Sequence, residues 1–224
     1  MIKVDKKYYV FQMNTVVLNV ISVIILVLMV LITFVIKQSF SFDDKDLMWT
    51  CVLMIPYFCF HEVLHSIGYV LHGAKFNRIT YGAHIEKGVL CCLCKQNISK
   101  RCILTSLLYP FIFIGVITYI IAMIFDIKIL LFLSIMNISG CAGDLMMFIS
   151  FLNLKNIEYS EFDDPISFGL YSDIDYSKKK MLGINYIKGV DELERKDMKK
   201  VSISKTSIIF FILLLATAAF CLFI

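Results

Sequence analysis

Charge is scarce in this 224-residue sequence: Asp, Glu, Lys and Arg together make up only 18% of it, against roughly 25% in soluble domains. Apolar residues account for 59% and the mean hydropathy is +0.79. One small core cannot hide that much apolar surface, which excludes an ordinary soluble globule. The composition equally excludes a disordered chain, a collagen-like fibre and a disulfide-stapled secreted domain. No internal repeat is evident, and Asp173 and Asp175 do not complete an EF-hand pattern. What remains is an integral membrane protein with a single membrane domain.

Five apolar runs are read as spans: Val16–Ile36, Leu47–Leu71, Ile103–Phe125, Ile129–Leu152 and Ser207–Ile224. At 1.5 Å per residue the first covers roughly 31 Å and the last roughly 27 Å, against a hydrocarbon core of about 30 Å. Only Asp126-Ile127-Lys128 separates the third run from the fourth, which predicts an antiparallel helical hairpin. The first run exceeds a signal-peptide core and lacks a small-x-small cleavage site after it, so it reads as an anchor. The expected fold is an all-α bundle of about five transmembrane helices with a small β-hairpin in the loop after the second.

The basic residues divide unevenly between the two sides. Nineteen of the 22 lie in the N-terminal arm, the loop after the second span and the segment after the fourth. Lys37, Lys45 and Lys128 alone lie on the other side. The positive-inside rule therefore predicts a multi-pass protein of the cell membrane, N-terminus cytoplasmic and C-terminus outside. The net charge of +4 needs no nucleic-acid partner, because a cytoplasmic face beside anionic lipid accounts for it. Four of the eight cysteines fall in the predicted cytoplasmic loop, where thiols stay reduced. Cys91-Cys92-Leu93-Cys94 reads as small thiols buried in a strand.

Once every charge in the arm and loops is assigned to water, Glu62 and Asp144 remain as acids inside spans, with His61 and His65 flanking the former. Ionisable groups within hydrocarbon are costly and mark functional sites facing the bundle interior. His61-Glu62-Val63-Leu64-His65 is an H-E-x-x-H sequence. On a helix, positions i and i+4 share a face with Cβ atoms about 5–6 Å apart, so two imidazoles can meet one metal ion. Glu62 is turned about 100° away, within reach of a metal-bound water without ligating the ion. A catalytic zinc keeps three protein ligands and one open position, and Asp144 is the available third. The two sites agree in depth. The middle of the H-E-x-x-H run and Asp144 each precede the cytoplasmic end of their span by eight residues, roughly 12 Å of helix. Asn137, Gly140/Cys141 and Asp144 share one helical face, whose small residues permit close helix approach. Asn137 can bind a substrate carbonyl, orient a ligand, or simply bond a neighbouring helix.

HEVLH in an early span with N-x-x-G-x-x-G-D in a later one resembles a family of membrane zincin peptidases and, more distantly, the site-2 protease family of intramembrane metalloproteases. The likeness runs from about Phe58 to Leu152 and includes Gly73-Ala74-Lys75 and Tyr109-Pro110. The site-2 protease pattern has a proline after the asparagine and L-D-G around the aspartate, where this chain has Gly140 and G-D-L. The resemblance implies one zinc per chain held by His61, His65 and Asp144, with Glu62 as general base for a zinc-activated water. It also implies a membrane-associated protein or peptide as substrate. The residues leave open a non-proteolytic metal-binding protein of transport or immunity type, or a structural subunit with a degenerate site.

Elsewhere, Pro56 precedes His61 by five residues and predicts a kink that admits water. Ile79–Ile85 and Val89–Cys94, around a Glu86-Lys87-Gly88 turn, predict a β-hairpin. It serves either as a structural clip or as an edge that pairs with an unwound substrate. His72 and His84 are expected at the interface and not as ligands. Residues 153–206 read as a solvated cytoplasmic insert, with Asp191 capping a helix that runs through Lys200 into the fifth span.

Overall fold

The computed structural model describes residues 7–38, 43–84, 89–161 and 167–190. The chain is mostly helical. Strand β1 (Lys7–Met13) leads into α1 (Thr15–Lys37) and α2 (Asp44–Leu71). A 3₁₀ turn (Phe76–Arg78) then precedes the hairpin β2 (Ile79–His84) and β3 (Val89–Cys94) and the short strand β4 (Ile98–Ser99). Helix α3 (Lys100–Pro110) continues through a π-helical stretch (Phe111–Ile117) into α4 (Thr118–Phe125). Helices α5 (Lys128–Gly140) and α6 (Ala142–Leu152) follow, then β5 (Glu158–Glu161), β6 (Ser167–Ser172) and β7 (Ile184–Val190).

Among the described residues, three helices are long and apolar enough to cross a membrane: Thr15–Lys37, Asp44–Leu71 and the continuous Lys100–Phe125. Helix α1 begins where the Asn14 side chain accepts from the Val16 and Val17 amides at 3.0 and 3.2 Å, covering donors a helix start leaves unpaired. Many of its apolar side chains are exposed, Leu26 and Met29 pack on the neighbouring helices, and Thr33 alone is fully buried. A helix that apolar and that exposed has lipid as its natural solvent. Helix α2 starts in a capping box formed by Asp43 and Asp46. The far ends of the helices are tied by ion pairs, Lys37 to Asp126 and, at 3.6 Å, Lys128 to Asp46.

The fourth expected span is broken, and the fifth falls outside the described residues. The run Ile129–Leu152 is not one straight helix, because α5 and α6 meet at Cys141 with a 45° bend. Glycines either side, Gly140 and Gly143, lower helix propensity there, and Asp144 thereby falls in the first turn of a new helix. A five-span bundle does not emerge among the described residues, since the fifth run, Ser207–Ile224, lies outside them. The helix expected from Asp191 to Lys200 lies outside them too.

Nor is the chain all-α. The hairpin pairs Ile79 with Cys94 through His84 with Val89, within the two segments expected to form it. A second, five-stranded antiparallel sheet in the order β4-β5-β6-β1-β7 was not expected. Strand β1, from the N-terminal arm, lies between β6 (Phe11 opposite Phe168) and β7. Part of the supposed solvated insert is therefore packed structure. Phe151 at the end of α6 seals the joint, its ring 5.3 Å from Phe168 and 6.0 Å from Tyr159. Every strand lies at the end of the bundle where α1 and α3 begin and α2 and α6 finish.

Gly183 fastens the sheet to the helices. Its carbonyl accepts the Asn14 amide at 2.8 Å, its φ is +62°, and an added Cβ would lie 2.5 Å from Met146 Cε and 2.7 Å from Val17 Cγ1. Gly183→Ala therefore meets both left-handed backbone strain, about 1–3 kcal/mol, and a packing clash. The expected result is a lower thermal midpoint in detergent, read by circular dichroism. An unchanged midpoint would mean that this joint carries no stability.

Candidate metal centre

His61 and His65 lie one turn apart on α2, their rings 4.8 Å apart and inclined at 72°. Both are buried, with 8% exposure each. Asp144 comes from the first turn of α6. Its Oδ2 stands 3.4 Å from His61 Nε2 and 3.5 Å from His65 Nε2, and the two Nε2 atoms are 3.1 Å apart. Among the described residues, these three side chains form the one group of His, Cys, Asp or Glu whose ligand atoms converge in this way.

The outer ring nitrogens settle which atoms face inward. His65 Nδ1 is 2.9 Å from the Ser106 carbonyl oxygen, which can only accept, so Nδ1 carries the proton. His61 Nδ1 is 2.8 Å from Asn137 Oδ1, and the Asn137 amide nitrogen donates to the Pro110 carbonyl at 3.3 Å and the Cys141 sulfur at 3.7 Å. His61 is thus a donor at Nδ1 as well. Both rings then turn Nε2 to the same point, beside a carboxylate oxygen. With both imidazoles neutral, these three acceptors would converge without a donor, and a cation between them would remove the conflict.

The dimensions fit zinc. Bonds of about 2.0–2.1 Å in tetrahedral geometry separate ligand atoms by about 3.3–3.4 Å. The triangle here has edges of 3.1, 3.4 and 3.5 Å. A charge-assisted hydrogen bond would be shorter, about 2.7–2.9 Å.

Glu62 is buried, with 7% exposure, and interacts electrostatically with His61, His65 and Asp144. The Cys92 backbone amide on β3 hydrogen-bonds its carboxylate. The hairpin is seated on α2 by Tyr81, whose hydroxyl donates to Ser66 Oγ at 2.6 Å. Burial pushes the Tyr81 phenol up to about 12, with the Ser66 bond opposing, so it stays a donor at physiological pH. Cys92 and Cys94 are buried, as expected, whereas Cys91 is half-buried; Cys102 in α3 is buried too. His72 bonds the Gly68 carbonyl and approaches Thr105, away from the cluster, while the His84 side chain lies outside the described residues.

Close contact between α2 and α3 delivers the Ser106 carbonyl. Ser106 Oγ also donates to the His65 carbonyl at 2.9 Å. A Cβ on Gly68 would come within 2.6 Å of Ser106 Cα, a backbone atom that cannot swing aside. Gly68→Ala should therefore part the two helices and cost about 1–3 kcal/mol by overpacking. Zinc binding should weaken with it, as read by thermal melting and chelator competition. Retention of both would show that the contact has slack. Sequence patterns named His61, Glu62, His65, Asn137 and Asp144, but not the Ser106 carbonyl or the Cys92 amide. Backbone atoms carry no residue signature.

The fold and this cluster together define a helical protein with a buried two-histidine, one-aspartate centre. A sequence family described as "Putative zincin peptidase" matches residues 53–158, the stretch that holds all five of these residues. No curated protein and no solved structure matches the chain. The family match supports a zinc peptidase.

Proposed function

We propose that the protein is a membrane-embedded zinc metalloprotease that cleaves a membrane-associated protein or peptide. The observation that carries this reading is the convergence of two imidazole lone pairs and a carboxylate oxygen at zinc spacing, with a buried glutamate beside them. His61, His65 and Asp144 hold the ion, about one per chain, and leave a fourth position open. Zinc in that position supplies Lewis acidity, which acidifies water and polarises a scissile carbonyl.

The remaining work falls to this chain's own residues. Glu62 accepts a proton as water oxygen adds to the carbonyl carbon, and returns it to the amide nitrogen as the C–N bond breaks. The Cys92 amide keeps the Glu62 carboxylate aimed. Asn137 and the Ser106 carbonyl hold the two imidazoles in the tautomer that ligates through Nε2. Helical peptide bonds are shielded, so a membrane-spanning substrate unwinds before attack, and the hairpin beside Glu62 offers a strand for it to pair with. The sheet-bearing end, which carries most of the basic residues among those described, faces the cytoplasm in this reading.

The test begins with full-length protein purified in detergent, its zinc measured by plasma mass spectrometry and its hydrolysis followed on a panel of quenched membrane-peptide substrates. About one zinc per chain together with chelator-sensitive cleavage is expected. Zinc without cleavage of any peptide would favour a non-proteolytic metal-binding protein. No zinc after reconstitution would favour a structural subunit.

A further inference from the structure

Both histidine-orienting carbonyls sit on α3, at Ser106 and Pro110, four residues apart. In an α-helix the carbonyl of residue 106 would accept the amide of residue 110. Proline has no amide hydrogen, so this bond is absent. The next amide, Phe111, turns instead to the Leu108 carbonyl. The Ser106 oxygen is thereby released, and His65 Nδ1 occupies it at 2.9 Å. Pro110 also opens the π-helical stretch Phe111–Ile117, in which carbonyls pair with amides five residues on and not four. In this widened turn the Pro110 oxygen takes the Asn137 amide at 3.3 Å, and Asn137 Oδ1 receives His61 Nδ1.

We propose that Pro110 is the positioning residue for both metal-binding histidines. It acts on His65 through the carbonyl it releases at Ser106, and on His61 through its own carbonyl and Asn137. This rests on the zinc-binding reading given above. One residue on α3 thereby fixes the protonated nitrogen of each ring. Tyr57 braces the same device from α2, its hydroxyl bonding the Ile114 carbonyl within the π-helical stretch and, at 2.8 Å, Thr118 Oγ1.

An alanine at position 110 restores the missing amide, which then competes with His65 for the Ser106 oxygen. The full-length chain in detergent is titrated with zinc against a chromophoric chelator, as wild type, Pro110→Ala and Asn137→Ala. Losing outer-sphere partners of metal ligands weakens binding by about 10–100-fold. Pro110→Ala should show such a loss and exceed Asn137→Ala, which removes the His61 arm alone. Nitrogen-15 spectra of zinc-loaded, histidine-labelled protein add a readout that general loosening would not move. In the wild type both histidines should ligate through Nε2 with a protonated, hydrogen-bonded Nδ1, and Pro110→Ala should lose those Nδ1–H signatures. Wild-type affinity and spectra in a folded Pro110→Ala variant would overturn the proposal and leave the zinc site standing. Nδ1 ligation at either histidine of the wild type would overturn it even if the variant failed to fold. A wild type that binds no zinc would overturn this inference and the metalloprotease reading together.

Discussion

Glu62→Gln is expected to lower peptide hydrolysis by about 10²–10⁴-fold, the usual worth of a positioned general base, while zinc content stays at the wild-type level. Glutamine keeps the volume of glutamate and retains an oxygen that can accept the Cys92 amide. It cannot accept a proton from water or return one to a leaving amine. Because Glu62 is turned away from the shared face of His61 and His65, it supplies no ligand atom to the triangle. Two measurements on one preparation therefore separate the roles: plasma mass spectrometry for metal and a cleavage assay for turnover. Zinc retained with full activity would remove Glu62 from the chemistry. Zinc lost along with activity would make Glu62 a ligand, or a support for one, instead of a base.

Asp144→Ala should have the larger effect on metal, lowering zinc affinity by more than the roughly 100-fold that marks the loss of an outer-sphere partner. Asp144 supplies the one negatively charged donor of the triangle, 3.4 and 3.5 Å from the two Nε2 atoms. Without it a divalent cation would sit in a buried place with neutral ligands only. Ligand that binds only the folded state raises stability, by about 2.7 kcal/mol at a hundredfold excess over its dissociation constant. Wild-type protein should therefore melt at higher temperature with zinc than with chelator, and Asp144→Ala should lose most of that difference. His61→Ala should behave alike. A zinc-dependent shift that survives in Asp144→Ala but vanishes in His61→Ala would take Asp144 out of the site.

These expectations could be approached from the sequence because the relevant patterns are local or compositional. The spacing of His61 and His65 is a property of one helix turn. Asp144 stood out once other acids were assigned to water, and the matching depths of the two sites followed from rise per residue alone. The β2–β3 hairpin was legible from strand residues flanking a turn.

The unread features depend on parts of the chain that are distant in sequence. Phe11 faces Phe168 in the second sheet, and no local pattern records a pairing across that separation. Tyr8 through Met13 has the aromatic and β-branched residues of a strand, yet its partners became identifiable only when α6 brought Phe151 beneath them. The bend at Cys141 is similar. Hydropathy is blind to a 45° change of direction, and the run Ile129–Leu152 reads as one span whether straight or broken.

By itself, then, the sequence determined which residues avoid water, which ionisable groups are trapped among them, and which of those share a helical face. Each follows from side-chain chemistry and the 3.6-residue period. Only the tertiary structure decided that Asp144 starts a helix beside the histidines, that β1 joins the strands after α6, and that the Ser106 carbonyl holds one imidazole while Asn137, anchored on the Pro110 carbonyl, holds the other. Those depend on backbone direction and on contacts between distant segments, which one-dimensional patterning does not encode.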